Sequence, residues 1–261
     1  MSSRPDNGSV TRAGVIAARM FALALGASAV VWGLVVLPVF WRDSGLQQMA
    51  IRIENRASFK PEIIQALLPP AEAVEHNERC QPAALHAAAI VRLRLAEAAI
   101  LAAERQSIDA KLDALDAAAR HSLACAPADP FLWMALAWLD QARNGSKPEQ
   151  LAFLRLSYRL GPNEGWVAAR RNRLALAMYE RLTPDLAEAA LTEFARMLAS
   201  GLHYETIAIL TGPGWPIRGQ LLARLKDVPE RRREAFAKAL YAQGYDVEVP
   251  GIPRPEARPW H

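Results

Sequence analysis

From Met20 to Trp41 the chain reads MFALALGASAVVWGLVVLPVFW, without one charged side chain. A bilayer-spanning helix needs roughly 20 predominantly apolar residues at 1.5 Å rise each. The run therefore predicts a single transmembrane helix over 20–41. Arg19 and Arg42-Asp43 delimit it, Trp41 suits headgroup depth, and Pro38 falls near the end, where a lost backbone hydrogen bond costs least. The competing reading is a cleaved signal peptide, for which Ala27-Ser28-Ala29 has the small-x-small form. A cut there would leave Val30 to Trp41 as an apolar new terminus, so an uncleaved anchor is the better reading. Arg4, Arg12 and Arg19 before the span nearly balance Arg42, Arg52, Arg56 and Lys60 after it. The short polar tail fits a signal-anchor, with 1–19 in the cytoplasm and the larger part outside.

Beyond Ser44 the punctuation is helical and strand alternation is nearly absent, which predicts an all-α body. Gly45 to Arg56 reads as a short amphipathic helix and Pro61 to Leu68 as another, with Pro69-Pro70 stopping the chain and Glu72 to Arg79 forming a loop. A long Ala-rich helix is predicted over Pro82–Glu104, followed by its partner over Ile108–Cys125. Asp129-Pro130 joins an N-cap acceptor to the residue best suited to the first helical position. Asn144-Gly145 ends that helix, and Ser146-Lys147-Pro148-Glu149 has the form of a capping box for the next, which runs to Leu160. Gly161-Pro162-Asn163 closes it and caps its successor. Thr183-Pro184-Asp185 opens another, which stops at Ser200-Gly201. Two more are predicted over Ile217–Lys226 and Pro229–Gln243, after a turn at Thr211 to Pro216. The organisation expected is a tail over 1–19, a span over 20–41, short helices and linker over 42–80, a helical domain over 81–245 and a proline-rich tail over 246–261.

An internal similarity runs through the body. Arg120-His121-Ser122-Leu123-Ala124-Cys125-Ala126-Pro127 lies 35 residues before Arg155-Leu156-Ser157-Tyr158-Arg159-Leu160-Gly161-Pro162, with Arg, Ser and Pro at matching offsets. Trp133 and Trp166 follow, each at the start of a helix. This resembles the tetratricopeptide repeat, a helix-turn-helix unit of about 34 residues. In Ala126 to Pro162, Trp133, Leu136 and Ala137 take the pattern's Trp, Leu and small positions, and Phe153 and Pro162 lie near its later aromatic and proline. The resemblance covers Ile90 to Arg181. It implies stacked helical hairpins, an α-solenoid with an irregular helical bundle as the alternative, and protein binding in a concave groove formed by the first helix of each pair.

Composition adds bounds. The net charge of +4 is modest and gives no concentrated basic face for nucleic acid. Arg dominates Lys and Ala is abundant, a bias typical of GC-rich bacterial genomes. Cys80 and Cys125 lack Cys-x-x-Cys spacing; two independent buried thiols are the favoured reading, with pairing open to them in an oxidising compartment.

Candidate chemistry is sparse. His203-Tyr204-Glu205 places its two ligand-type side chains on different helix faces, so no metal is expected. The glycine-rich Thr211 to Pro216 lacks the Gly-Lys-Ser/Thr ending of a phosphate loop and reads as a tight connection. No nucleophile, acid–base or cofactor motif stands out, so no enzyme and no cofactor are expected. The candidate interaction surface is Trp138 with two basic clusters, Arg170, Arg171 and Arg173, and Arg231, Arg232 and Arg233. Trp133 and Trp166 read as core.

These readings converge on a non-catalytic, membrane-anchored scaffold of the bacterial inner membrane with a periplasmic body. Its expected partners are lipid through 20–41 and other envelope proteins, and an accessory role in polysaccharide or envelope assembly is the associated pathway. The alternative is a periplasmic carbohydrate- or ligand-binding module for surface-polymer export, in which Trp and Arg contact an anionic polysaccharide. Ala22, Gly26, Ala29 and Gly33 place small residues at four-residue spacing in the span, as close helix–helix self-association requires.

Overall fold

The computed structural model describes residues 12–55, 57, 59–77, 79–103, 105–145 and 148–253, with the side chains of 12, 13, 39, 40, 105, 144 and 148–150 left aside. Among the described residues the chain is all-α, with twelve α-helices and no strand. The expected N-terminal tail up to residue 11, Ser146-Lys147 of the capping box and the tail from 254 lie outside the described residues.

The first helix, α1 (Arg12–Glu54), is longer than expected. The span and the separate helix predicted from Gly45 are one rod that runs through Pro38 without ending. The missing proline N–H removes one hydrogen bond, whereas continuation buries Leu46, Ala50 and Ile53 in the body's core. Asp43, beside its Arg42 partner at 3.3 Å, is also buried. Within α1, Gly14–Pro38 is apolar and long enough to cross a membrane, and none of its best window is buried.

Next come α2 (Pro61–Gln65) and α3 (Leu68–Glu75). Pro69-Pro70, expected to stop the chain, instead fall in the first turn of α3, where a missing N–H has no helical acceptor to lose. The first half of the expected loop, Glu72 to Glu75, is therefore helix.

Three antiparallel hairpins form the body: α4 (Pro82–Leu101) with α5 (Arg105–Cys125), α6 (Pro130–Asn144) with α7 (Pro148–Leu160), and α8 (Gly165–Ala177) with α9 (Pro184–Ser200). Helix α4 is central, touching α1, α2, α3, α5 and α6. Its apolar residues, expected to form one stripe, are buried almost all round, as in Ala87 to Val91. A helix apolar on every side needs partners on every side, and its alanines let them approach closely. Asp129 caps α6 by accepting from Phe131 N at 3.0 Å and Leu132 N at 3.1 Å, as the Asp-Pro pair predicts. By contrast, Glu164 rather than Asn163 precedes α8, and it makes no side-chain cap. Gly201 takes the left-handed conformation, φ 95°, that ends α9.

The closing elements are α10 (His203–Leu210), α11 (Arg218–Ala223) and α12 (Glu230–Ala242), which pack around α9. The glycine-rich connection after α10 is tight: Gly214 N donates to Ile209 O at 2.9 Å, and a Cβ there would lie 2.7 Å from Leu221 Cδ1. That crowding packs the backbone of the connection directly against α10 and α11, as a tight turn does.

Cys80 and Cys125 form a disulfide, with Cα atoms 5.5 Å apart. This corrects the reading of two independent thiols. The α4–α5 hairpin returns the chain to its starting end, so residues 45 apart in sequence meet there.

Candidate functional site

The first helices of the three hairpins, α4, α6 and α8, line a groove of about 560 Å³. Helical spacing brings its residues together: Leu93 and Glu97 on α4, Met134, Trp138 and Gln141 on α6, and Arg170, Leu174 and Ala177 on α8 are offset by three or four. Arg173, one residue before Leu174, stands at the rim. The floor is apolar. Glu97 faces Arg170 across it at 3.8 Å and also accepts from Arg94 at 2.7 Å. The Arg170 guanidinium lies 5.8 Å from the Phe131 ring centroid. Arg173 is exposed and has no hydrogen-bond or ion-pair partner among the described residues. Three of the seven candidate surface residues, Trp138, Arg170 and Arg173, thus share one site.

Arg171 does not join them, and its assignment to an interaction surface is corrected: it is fully buried. Successive residues of a helix point about 100° apart, so Arg171 and Asn172 turn inward where Arg170 and Arg173 face the groove. Arg171 donates to Glu193 Oε1 at 2.5 Å, Ser157 O at 2.6 Å and Gly161 O at 2.9 Å, and its guanidinium covers the Tyr158 ring at 4.3 Å. Asn172 adds a 2.8 Å bond to Ala190 O. This cluster ties α7, α8 and α9 together.

The second basic cluster lies on α12, apart from the groove. Arg231 is exposed. Arg232 lies 3.3 Å from His203 Nε2, and burial followed by the Arg232 charge pushes that imidazole below its ordinary value. Arg233 donates to Val228 O at 2.9 Å and to Pro250 O, which fastens the segment after α12. Trp133 and Trp166 are half-buried packing residues: Trp133 stacks on Phe153 at 5.8 Å and donates to Pro127 O, while Trp166 meets Phe131 at 4.9 Å.

Comparison with protein-family models, curated proteins and solved structures finds no match for this chain. Function must therefore be read from the geometry. Among the described residues, no Ser, Thr, Cys, His or Tyr lines the groove, and no group of three or more His, Cys, Asp or Glu could hold a metal. The groove combines an apolar floor and an indole with a carboxylate on one wall and two guanidinium groups on the other.

The sequence reading missed Glu97, Met134 and Leu93 as groove residues; three- and four-residue spacing from Trp138 and Arg170 would have found the α6 and α8 members. It also missed a cluster around His86, whose Nδ1 lies 2.5 Å from Asp129 Oδ2 and whose Nε2 lies 2.7 Å from Glu54 Oε1. Burial alone would lower this imidazole, but the hydrogen bonds and charges of Asp129 and Glu54 outweigh it and raise it to about 9. His86 thus links the end of α1 to the cap of α6 as a charged group. In the apolar stretch of α1, Gly26 and Gly33 have open space where a side chain would project.

Proposed function

We propose that the chain is a single-pass membrane protein whose helical body is a tetratricopeptide-like, non-catalytic scaffold that holds a segment of an envelope protein in the α4–α6–α8 groove. The groove is the observation that carries this reading. It lies on the first helix of each pair, where the resemblance expects a concave binding face, and it gathers Trp138, Arg170 and Arg173. The matched serines of the two similar units, Ser122 and Ser157, are both buried, as structurally equivalent positions require.

Anchoring through α1 is supported by the full exposure of its apolar window, since a core helix of a soluble protein would be covered. Continuity of α1 from that window into the packed body argues against cleavage at Ala29. The Cys80–Cys125 bond favours an oxidising compartment for the body, hence a periplasmic location in a bacterial inner membrane with the N-terminus in the cytoplasm. A second reading, a carbohydrate-binding module, draws on Trp138 beside Arg170 and Arg173, which suits a sugar ring bearing an acidic group.

A photo-crosslinking residue at Ala142, an exposed groove position, tests both in the full-length protein in its own membrane. Adducts with a protein segment, abolished by Trp138→Ala with Arg173→Glu, are the expected result. Adducts with polymer alone would transfer the assignment to the carbohydrate reading. Crosslinks unaffected by the double substitution would remove the groove from the function altogether.

A further inference from the structure

The register of α1 against α4 fixes the height of the body over the membrane. Glu54, the last residue of α1, bonds His86 in the second turn of α4. Leu46, Ala50 and Ile53 are buried, and α4 is the helix against which α1 chiefly packs. A parallel α1 would lie beyond the start of α4 at those positions, so the two helices run antiparallel. Leu101, at the end of α4, is fifteen residues past His86, and position 39 of α1 is fifteen residues before Glu54. At 1.5 Å per residue both are roughly 22 Å from the His86–Glu54 contact. Leu101 therefore stands level with the end of Gly14–Pro38, the stretch apolar enough to span a membrane.

The described side chains at the end of α4 are apolar. Leu101 is 84% exposed, the highest value of any Leu, Ile, Val or Met among the described residues, and Ile100 beside it is also exposed. Ala102 and Ala103 follow, with Ala103 in the left-handed conformation at φ 53°. On α1, at nearly the same height, Trp41 and Arg42 are exposed, an indole and a cation of the kinds that settle at headgroup depth. In water, so exposed a leucine at a turn gains nothing. Against a bilayer its side chain is desolvated by acyl chains while the helix end stays in the polar layer.

We propose that the α4–α5 turn, Ile100 to Ala103, is a second membrane contact that rests in the interfacial layer of the leaflet from which α1 emerges. The inference rests on α1 being a membrane anchor. Two contacts, the rod and the turn, restrict rotation of the body about α1 and hold α4 upright. Glu97, on the groove wall, lies four residues before Leu101 and so about 6 Å along the axis. The groove consequently opens just above the headgroups.

The test uses the full-length protein in vesicles of phosphatidylcholine and phosphatidylglycerol. An environment-sensitive fluorophore is placed on Leu101→Cys, on Val35→Cys within the span, and on His121→Cys near the far end of α5. The Cys80–Cys125 bond leaves the added thiol as the labelling site, and the exposure of all three positions preserves the fold. The label at 101 is expected to shift to shorter wavelength and to lose about half its intensity to lipids spin-labelled at the interface, roughly 5–10 Å deep. The label at 121 is expected to do neither. Quenching at 35 with a water-like signal at 101 overturns the second contact and leaves the anchor standing. Water-like signals at both 35 and 101 overturn both. A shifted but unquenched signal at 101 assigns the turn to protein contact and equally overturns the proposal.

Discussion

Replacing His86 by Gln should remove a pH-dependent share of the protein's stability. The imidazole sits between Asp129 Oδ2 at 2.5 Å and Glu54 Oε1 at 2.7 Å, with little solvent access. Burial opposes its charge, and the two carboxylates overcome that opposition, raising it from 6.5 to about 9. A raised value means that the folded state holds the proton more tightly than the unfolded chain. The contribution is therefore fully present below about pH 6.5, declines as pH rises, and is gone above about pH 9. The interval from 6.5 to about 9 corresponds to about 3 kcal/mol. Urea unfolding of the full-length protein in detergent micelles measures it, with Trp166, whose ring lies 6.4 Å from that of His86, as a nearby fluorescent reporter. Between about pH 6 and about pH 9.5 the native protein should lose about 3 kcal/mol more than His86→Gln, and the two should converge at the alkaline end. Groups titrating in both proteins, His203 among them, cancel in the difference. Parallel profiles, or a gap that widens as pH rises, would refute the reasoning.

Arg171→Ala leaves the Glu193 carboxylate buried without its cation, and should destabilise by about 3–5 kcal/mol in the same unfolding assay. Arg171→Met with Glu193→Leu should recover most of that loss, because the double change leaves no buried charge unpaired. Removing the disulfide by Cys80→Ser with Cys125→Ser frees a loop of 45 residues and should cost about 4 kcal/mol in the chain-entropy account, measured as a lower urea midpoint. An unchanged midpoint would mean that the hairpin needs no closure at that end.

Signals carried by neighbouring residues were legible in the chain. Asp129-Pro130 opens α6, Gly145 follows its end, Thr183-Pro184 opens α9, and Gly201 ends it. Each acts within one helical turn, on backbone groups fixed by its own segment. The apolar stretch was legible for the same reason, since length and lack of charge are properties of a single helix, although the sequence set it at 20–41 and the structure at Gly14–Pro38. The sequence singled out Trp138, Arg170 and Arg173, which line the groove, together with Arg171, which it did not separate from them.

Tertiary packing decided the rest. Pro38 ends no helix because the residues after it gain burial on α4. Within Arg170 to Arg173, the sequence places four polar residues in a row without stating which faces the interior; α7 and α9 supply the carbonyls and carboxylate that make Arg171 the buried one. Glu54, His86 and Asp129, like Cys80 and Cys125, are distant in the chain and meet only because hairpins return it to the same end. Helix type and end caps rest on hydrogen bonds between residues about four apart, so local sequence signals them except where packing overrides, as at Pro38. Which helix covers which face depends on contacts between residues far apart in the chain, and no local pattern encodes those contacts.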